Sequence, residues 1–340
     1  MRPKPFLQTL AALLLGAALG TVSLTGCGTG RKDATAAEGS GNKTLEIAVI
    51  PKGTTHVYWN SVHAGAAKAA KELGVIIHWQ GPLKEDDRQV QIQTVQNFIS
   101  RGVDAIALAP LDARSLVPVV KAAGDKGIPV VIFDSDLGSD AYRSFVATDN
   151  GEGGRLAARR LAEVVGGKGN VILLRYAEGS ASTTHREEGF LAEMKKFEPA
   201  IKLVSANQYA GVTMEKAYQV AQNLLNRYPD VDGIFCANEV STQAVLRALQ
   251  TARKAGKVKL VGFDANETLV NALRTGEVHG LAVQDPFGMG YLAVKTAVQA
   301  LQGETVSRRI DTGVTMVTAD NTNEPRVSTL LHPETGKWLQ

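Results

Sequence analysis

The turn that follows the strand-like run Ile47–Ile50 contains no Gly-x-Gly-x-x-Gly. It reads Pro51-Lys52-Gly53-Thr54-Thr55-His56, which offers no phosphate cradle and argues against a nicotinamide-dependent reductase. No P-loop, no Ser-His-Asp elbow and no His-Glu-x-x-His occurs in the chain, so an enzyme is not expected. His56 and His63 stand seven apart, but no third ligand appears at metal spacing. Neither a metal nor any other cofactor is therefore expected. Charge of one sign is also scarce: 37 Lys and Arg face 34 Asp and Glu, a net +3 over 340 residues. The basic residues are dispersed, whereas a nucleic-acid face needs them clustered on one patch, so no nucleic-acid partner is expected. Aromatics make up 6% and cysteines number two. The remaining composition, 44% apolar and 21% charged, is that of an ordinary globular protein.

What is present begins with an export address. Arg2 and Lys4 precede a largely apolar stretch from Phe6 to Leu24, and small residues follow. These are the parts of a cleaved signal. The four residues Leu24-Thr25-Gly26-Cys27 resemble the lipobox of bacterial lipoproteins. That resemblance implies cleavage before Cys27, a diacylglyceryl group on its sulfur, and a protein held to a membrane in the periplasm or at the cell surface. The competing reading is an uncleaved anchor helix with an incidental cysteine, since the apolar stretch approaches spanning length. Residues 1–26 are assigned to the signal and 27–43 to a flexible tether. Gly28 to Asn42 carries Gly, Ser, Thr, Ala and Lys without apolar periodicity, too little to offset the entropy of ordering. With Cys27 lipidated, Cys236 has no partner. It sits in the apolar run Val231–Cys236 and reads as an inert core thiol.

From Leu45 onward short β-branched runs alternate with Ala-rich stretches of helical spacing. Leu45–Ile50, Val75–Trp79, Ala105–Ala109 and Pro129–Phe133 read as strands, with helices over Trp59–Leu73, Arg88–Arg101 and Ser115–Lys126. A similar series follows Thr148. Its strands are Val171–Arg175, Ile201–Ser205, Val231–Cys236, Val258–Phe263 and Gly280–Val283. Helices are expected over Asn150–Val165, Thr183–Lys196, Met214–Arg227, Val240–Ala255, Glu267–Arg274 and Met289–Leu301. Strands apolar throughout, each followed by a helix, argue for parallel sheets covered on both faces. The fold class is α/β, and there are too many strands for one comfortable sheet. Two doubly wound parallel-sheet lobes fit better than the competing (β/α)₈ barrel.

In open parallel sheets ligands gather beyond the carboxyl ends of the strands. Lys52, Asp134, Ser135, Asn238 with Glu239, Asp264 and Gln284 all stand just after apolar runs. Tyr58 and Trp59 stand just before the first expected helix. Carboxylates that accept hydroxyls, amides that both donate and accept, and flat rings suit a polyol with one apolar face. Each residue has a plainer reading. Asp134 and Asp264 could cap turns or helices, which is the commoner task for a strand-end aspartate. Tyr58 and Trp59 could be core packing, and Lys52 a solvated charge. Their shared topological position favours a site.

The same residues, taken in order, resemble periplasmic sugar-binding proteins of the ribose-binding type. The register runs from Ile47-Ala48-Val49-Ile50 through Tyr58-Trp59, Gly102-Val103-Asp104-Ala105-Ile106, Asp134 and Thr148-Asp149-Asn150. It continues through Arg186-Glu187-Glu188-Gly189-Phe190, Ala237-Asn238-Glu239, Val261-Gly262-Phe263-Asp264 and Gln284. The resemblance implies a type I periplasmic binding protein fold with lobe 1 over 44–148 plus 285–313 and lobe 2 over 149–284 plus 314–340. Three hinge crossings are implied, near Thr148, Gln284-Asp285 and Gly313. It also implies that Tyr58 and Trp59 sandwich a sugar ring, that Asp134 accepts hydroxyls in lobe 1, and that Arg186, Asn238, Asp264 and Gln284 reach the ligand from lobe 2. Lys52 and His56 stand where ribose binders place a serine and an asparagine. Ser135 and Thr184 stand where they place arginines, so Lys52 is expected to replace part of the lost charge and another monosaccharide is expected in place of ribose. The implied activity is capture of a small polar ligand, a monosaccharide above all, by a monomeric lipoprotein that delivers it to an ABC permease. The effector domain of a lactose-repressor-like regulator has the same fold, but would need a helix-turn-helix ahead of Leu45. A second reading within the binding class is a sensor that presents an autoinducer or nucleoside to a membrane partner.

Overall fold

The computed structural model describes residues 43–339. The signal at 1–26, the lipidation of Cys27 and the tether up to Asn42 lie outside the described residues. No helix among the described residues is long and apolar enough to cross a membrane.

The chain first lays down β1 (Glu46–Ile50), α1 (Val57–Leu73), β2 (Ile76–Trp79), α2 (Arg88–Arg101), β3 (Ala105–Leu108), α3 (Val117–Asp125), β4 (Val130–Phe133) and β5 (Ser144–Ala147). It then crosses into a second unit and adds α4 (Asn150–Val164), β6 (Gly169–Arg175), α5 (Ala181–Met194), β7 (Ile201–Tyr209) and α6 (Met214–Arg227). The same unit continues with β8 (Gly233–Cys236), α7 (Glu239–Thr251), β9 (Lys259–Phe263), α8 (Glu267–Arg274) and β10 (Gly280–Gln284). After Gln284 the chain returns for α9 (Pro286–Leu301) and β11 (Arg309–Asp311), and crosses again for β12 (Val314–Val317) and α10 (Pro325–Leu331). Two six-stranded sheets result, ordered β11-β5-β4-β3-β1-β2 and β12-β10-β9-β8-β6-β7. The two orders match position for position, so each strand of one lobe has a counterpart in the other.

The apolar strands formed where they did because both of their faces are covered. Val130–Phe133 and Gly233–Cys236 are buried throughout, as parallel strands flanked by helices must be. Cys236 is buried with a free thiol, and burial pushes its pKa up, which fits a packing role. Three strands had no sequence signal. β5, β11 and β12 are short, and β5 opens on a buried serine whose hydroxyl bonds to the Ser307 carbonyl. β12 runs antiparallel to β10, so the second sheet carries one antiparallel edge rather than being wholly parallel. The chain tail also departs from the expected division. α10 packs Leu330 and Leu331 on the second-lobe core, but the turn Thr335–Lys337 comes back against α1 of the first lobe. There Lys68 and Lys71 stand 6.0 and 5.7 Å from the Trp338 ring centre.

Each lobe fixes one helix pair through glycine. A Cβ on Gly65 of α1 would lie 1.9 Å from the Phe287 carbonyl oxygen of α9. A Cβ on Gly290 of α9 would lie 2.0 Å from the Val62 oxygen of α1. In the second lobe Gly154 of α4 meets the Arg186 oxygen at 2.0 Å on the same test, and Gly189 of α5 meets the Gly151 oxygen at 2.1 Å. The second pair sets the height of α5, and with it the position of Arg186. Neither backbone can yield without moving a whole helix, so Gly65→Ala should lower unfolding free energy by about 1–3 kcal/mol. Denaturant titration checks this, and an unchanged midpoint would contradict the close packing.

Candidate ligand-binding cleft

β4 and β9 are counterparts, and each is followed at once by an aspartate. Asp134 and Asp264 both take left-handed backbone, with φ of 61° and 65°. The amide of Asp134 donates to the Val146 oxygen of β5 at 3.0 Å, and that of Asp264 to the Ala282 oxygen of β10 at 2.8 Å. A left-handed turn is costly for most side chains and more tolerable for Asp. Here it turns both carboxylates out of the strand register into one cleft between the lobes. Neither caps a helix, the plainer alternative for a strand-end aspartate. Asn266 caps α8 by accepting from the Leu269 amide at 2.9 Å, which leaves Asp264 for the cleft.

Donors converge on the two carboxylates. Asp134 accepts from the Tyr58 hydroxyl at 2.8 Å on Oδ1 and pairs with Lys52 Nζ at 3.0 Å through Oδ2. Asp264 accepts from Gln284 Nε2 at 2.7 Å and lies 3.5 Å from the Arg186 guanidinium. Arg186 is itself pinned from three sides. Its Nε donates to Asn150 at 2.8 Å, another nitrogen donates to the Ala237 carbonyl at 3.0 Å, and the Phe263 ring lies 3.7 Å below. Asn238 lines the cleft while its Oδ1 caps α7 through the Ser241 amide. Gln284 is 1% exposed. Because its Nε2 must face Asp264, its Oε1 is fixed, and that buried oxygen has no hydrogen-bond partner among the described residues. A buried acceptor without a donor is costly, and a ligand hydroxyl would satisfy it.

The aromatic pair differs from the expected sandwich. Tyr58 and Trp59 meet edge to face at 89°, with centres 5.0 Å apart, so no ring fits between them. Trp59 is 2% exposed and packs on Phe133. Its Nε1 donates to Glu85 at 2.8 Å. The pair can offer one wall to a ligand, with the tyrosine hydroxyl as a polar edge.

Glu85 had no sequence signal, because Lys84-Glu85-Asp86-Asp87-Arg88 reads as a solvated run. In the fold its largely covered carboxylate is a hub for Trp59, for His56 Nδ1 at 3.1 Å, and for the Tyr176 hydroxyl of the second lobe at 3.2 Å. Tyr176 follows β6, so the strand-end rule could have found it. Ser182, Thr183 and Glu239 complete the lining. Gln91 was also missed. It is fully buried on α2 and bonds the Pro51 and Ala109 carbonyls and the Leu111 amide at 2.8–2.9 Å. It thereby fixes the loop that carries Lys52.

All the expected site residues except Ser135 line this one cavity. Ser135 is fully buried, and its hydroxyl accepts from the Ser182 amide at 3.1 Å, so it joins the lobes and does not face the ligand space. Lys52 supplies a cation beside Asp134, and its ammonium also donates to Ser182 at 2.9 Å and Ser180 at 3.3 Å. With the side chains bonded in this way the cavity measures about 40 Å³, room for water and not for a sugar ring. A ligand must exchange some of these bonds for its own. A larger hollow among the described residues, about 810 Å³, is an open groove on the hinge side. Its arginines are already engaged: Arg308 by Asp140, Arg309 by the Thr148 carbonyl and Arg155 by Glu152. Volume alone does not make it the site.

Two α/β lobes with opposed polar strand ends enclose one polar cleft between them. The sequence matches the periplasmic binding protein domain family over residues 47–305, and the chain belongs to that family. It is 32% identical over 263 residues to the D-allose-binding periplasmic protein of Escherichia coli K12, spanning 75% of this chain and 84% of that protein. It is 31% identical over 277 residues to the ribose import binding protein of the same organism, spanning 80% and 90%. Among solved structures, a carbohydrate transporter solute-binding protein from Agrobacterium radiobacter in complex with D-arabinose aligns with a TM-score of 0.83 and 34% identity, over 86% of this chain and 100% of that one. An ABC transporter solute-binding protein from Agrobacterium vitis with bound D-fucose aligns with a TM-score of 0.81 and 37% identity, over 84% and 100%.

The buried charges respond to one another. Burial raises the pKa of Asp264 to about 6, against the lowering pull of Arg186 and Gln284, with Glu239 and Asp134 adding to the rise. Burial acts the same way on Glu85, but the His56 bond, the Lys52 charge and the Trp59 bond overcome it and bring the group to about 2. Burial disfavours charge on His56, yet the bond to Glu85 and its charge leave the imidazole pKa raised. Tyr58 and Tyr176 are pushed well above their ordinary value by burial and by neighbouring carboxylates, so both remain donors.

The two carboxyls bend the stability profile in opposite senses. Asp264 binds its proton more tightly folded than unfolded. Its contribution is full below its ordinary 3.8 and is lost as pH rises through about 6. Glu85 contributes above its ordinary 4.5 and loses that contribution as pH falls toward 2. Asp264→Asn, which tolerates the left-handed turn, should match the wild type near pH 4 and exceed it by about 3 kcal/mol at pH 7. Urea titrations across pH measure the difference; a pH-independent gap would contradict it.

Proposed function

We propose that this protein captures a monosaccharide between its lobes and delivers it to the membrane subunits of an ABC importer. The observation that carries the reading is the pair of counterpart aspartates, Asp134 and Asp264, opposed across one cleft beside the donorless Gln284 Oε1. A monosaccharide has hydroxyl hydrogens for all three acceptors, and its hydroxyl oxygens can accept from Arg186 and Asn238. Ligand that touches both lobes binds only the closed form, so it favours closure by differential affinity. Relatives named as sugar-binding proteins support capture without catalysis, and one named as a ribose import binding protein supports transport over presentation to a sensor. The family and the lipobox-like Leu24-Thr25-Gly26-Cys27 support an extracytoplasmic monomer tethered to a membrane by lipid on Cys27. Ser135 and Thr184, in place of the arginines of ribose binders, support a sugar other than ribose.

A thermal-shift screen of pentoses, hexoses, aminosugars, polyols and nucleosides tests the ligand class. The cognate sugar near 100 times its Kd should add about 2.7 kcal/mol of stability. A response to nucleosides alone, or to nothing in the panel, would overturn the monosaccharide reading. Calorimetry with the ligand so found tests the site. Because hydroxyls donate to the ionised form of Asp264, affinity should be flat above pH 7 and about tenfold weaker at pH 5. Affinity that stays level through that range would remove Asp264 from the ligand contacts.

A further inference from the structure

Several first-lobe groups meet one short second-lobe segment, Tyr176 to Ser182. Glu85 accepts from the Tyr176 hydroxyl, the Ala113 amide donates to the Gly179 carbonyl at 3.0 Å, and Ser135 accepts from the Ser182 amide. The approach at Gly179 is a fitted one, since a Cβ there would lie 2.2 Å from the Asp112 carboxylate. At the centre is Lys52, 3% exposed. An ammonium has three hydrogens to donate, and three acceptors surround this one: Asp134 in its own lobe, Ser180 and Ser182 in the other.

We propose that Lys52 is a closure clasp. It ties Asp134 to Ser180 and Ser182, and so sets the open–closed balance of the cleft without itself reading sugar hydroxyls. The inference rests on the reading of the cleft as a ligand clamp. Its donors are all engaged by protein, so contact with ligand would cost it an existing bond. Its charge is balanced within the first lobe by Asp134. Opening the cleft therefore strands no buried charge; it only exchanges two serine hydroxyls for water. That makes a latch which holds and yet releases. Asp134 keeps acceptor capacity on both oxygens, so the clasp also presents this carboxylate to ligand in a fixed orientation.

A residue that acts through closure has a distinct signature. Apparent Kd scales inversely with the fraction of protein able to close, whichever sugar is bound. Lys52→Met removes the clasp. The double variant Ser180→Ala/Ser182→Ala removes only its cross-lobe partners and leaves the Lys52–Asp134 pair intact, so folding is protected. Small-angle X-ray scattering of the protein without sugar should show a larger radius of gyration for both variants than for the wild type. Calorimetry over the sugars that the wild type binds should show one common loss, about tenfold, with their rank order kept. An unchanged radius of gyration in the double variant would overturn the clasp. So would a loss confined to sugars that share one hydroxyl configuration, which would make Lys52 a direct reader. The scattering arm needs no sugar, so it decides the clasp even where the monosaccharide reading fails.

Discussion

The architecture of this protein turns on the burial of carboxylates that face one another. Asp134 and Asp264 project from counterpart strands into a cleft with almost no solvent, and Glu85 and Glu239 lie close by. Taking such groups out of water is expensive unless each finds donors. The surrounding structure supplies them. Lys52 and Tyr58 serve Asp134, Arg186 and Gln284 serve Asp264, and His56 and Trp59 serve Glu85. Where burial outweighs the donors the pKa moves, as it does upward at Asp264. A ligand rich in hydroxyls is the natural completion of such a set.

The repeated sheet order explains how the cleft is built. Corresponding strands end at the same level, so a device that works in one lobe recurs in the other. The left-handed aspartate with its amide bonded to the neighbouring strand is that device, at β4 against β5 and at β9 against β10. The glycine-mediated helix pairs, α1 with α9 and α4 with α5, recur likewise. Chain crossings after β5, β10 and β11 join the lobes, and short crossings of this kind let two rigid bodies swing together. Rigid lobes with few connections allow a handful of cleft bonds to govern the whole motion.

The sequence showed most of the fold, because buried parallel strands are apolar on both faces and β-branched runs such as Val130–Phe133 are hard to mistake. It did not show β5, β11 or β12, which are brief, partly polar and formed by their neighbours. The site was legible where strand ends carried polar residues. Lys52, Asp134, Asn238, Asp264 and Gln284 follow apolar strands, and the fold brings all five to one cleft. What could not be seen was conformation and partnership. The positive φ of Asp134 and Asp264 distinguishes a cleft group from a cap, and no composition reveals it. The perpendicular set of Tyr58 and Trp59 is likewise a matter of packing. Glu85 hid in a charged run, and only the fold brings its loop under Trp59. Ser135 faces the other lobe because α5 approaches it, an event 47 residues distant in the chain.

A crystal structure of the protein with a bound monosaccharide tests the central claim most directly. Oxygens of a single sugar should lie within hydrogen-bonding distance of both Asp134 and Asp264, with one hydroxyl on Gln284 Oε1. A sugar seated in the hinge-side groove, or touching the aspartate of one lobe alone, would contradict the account.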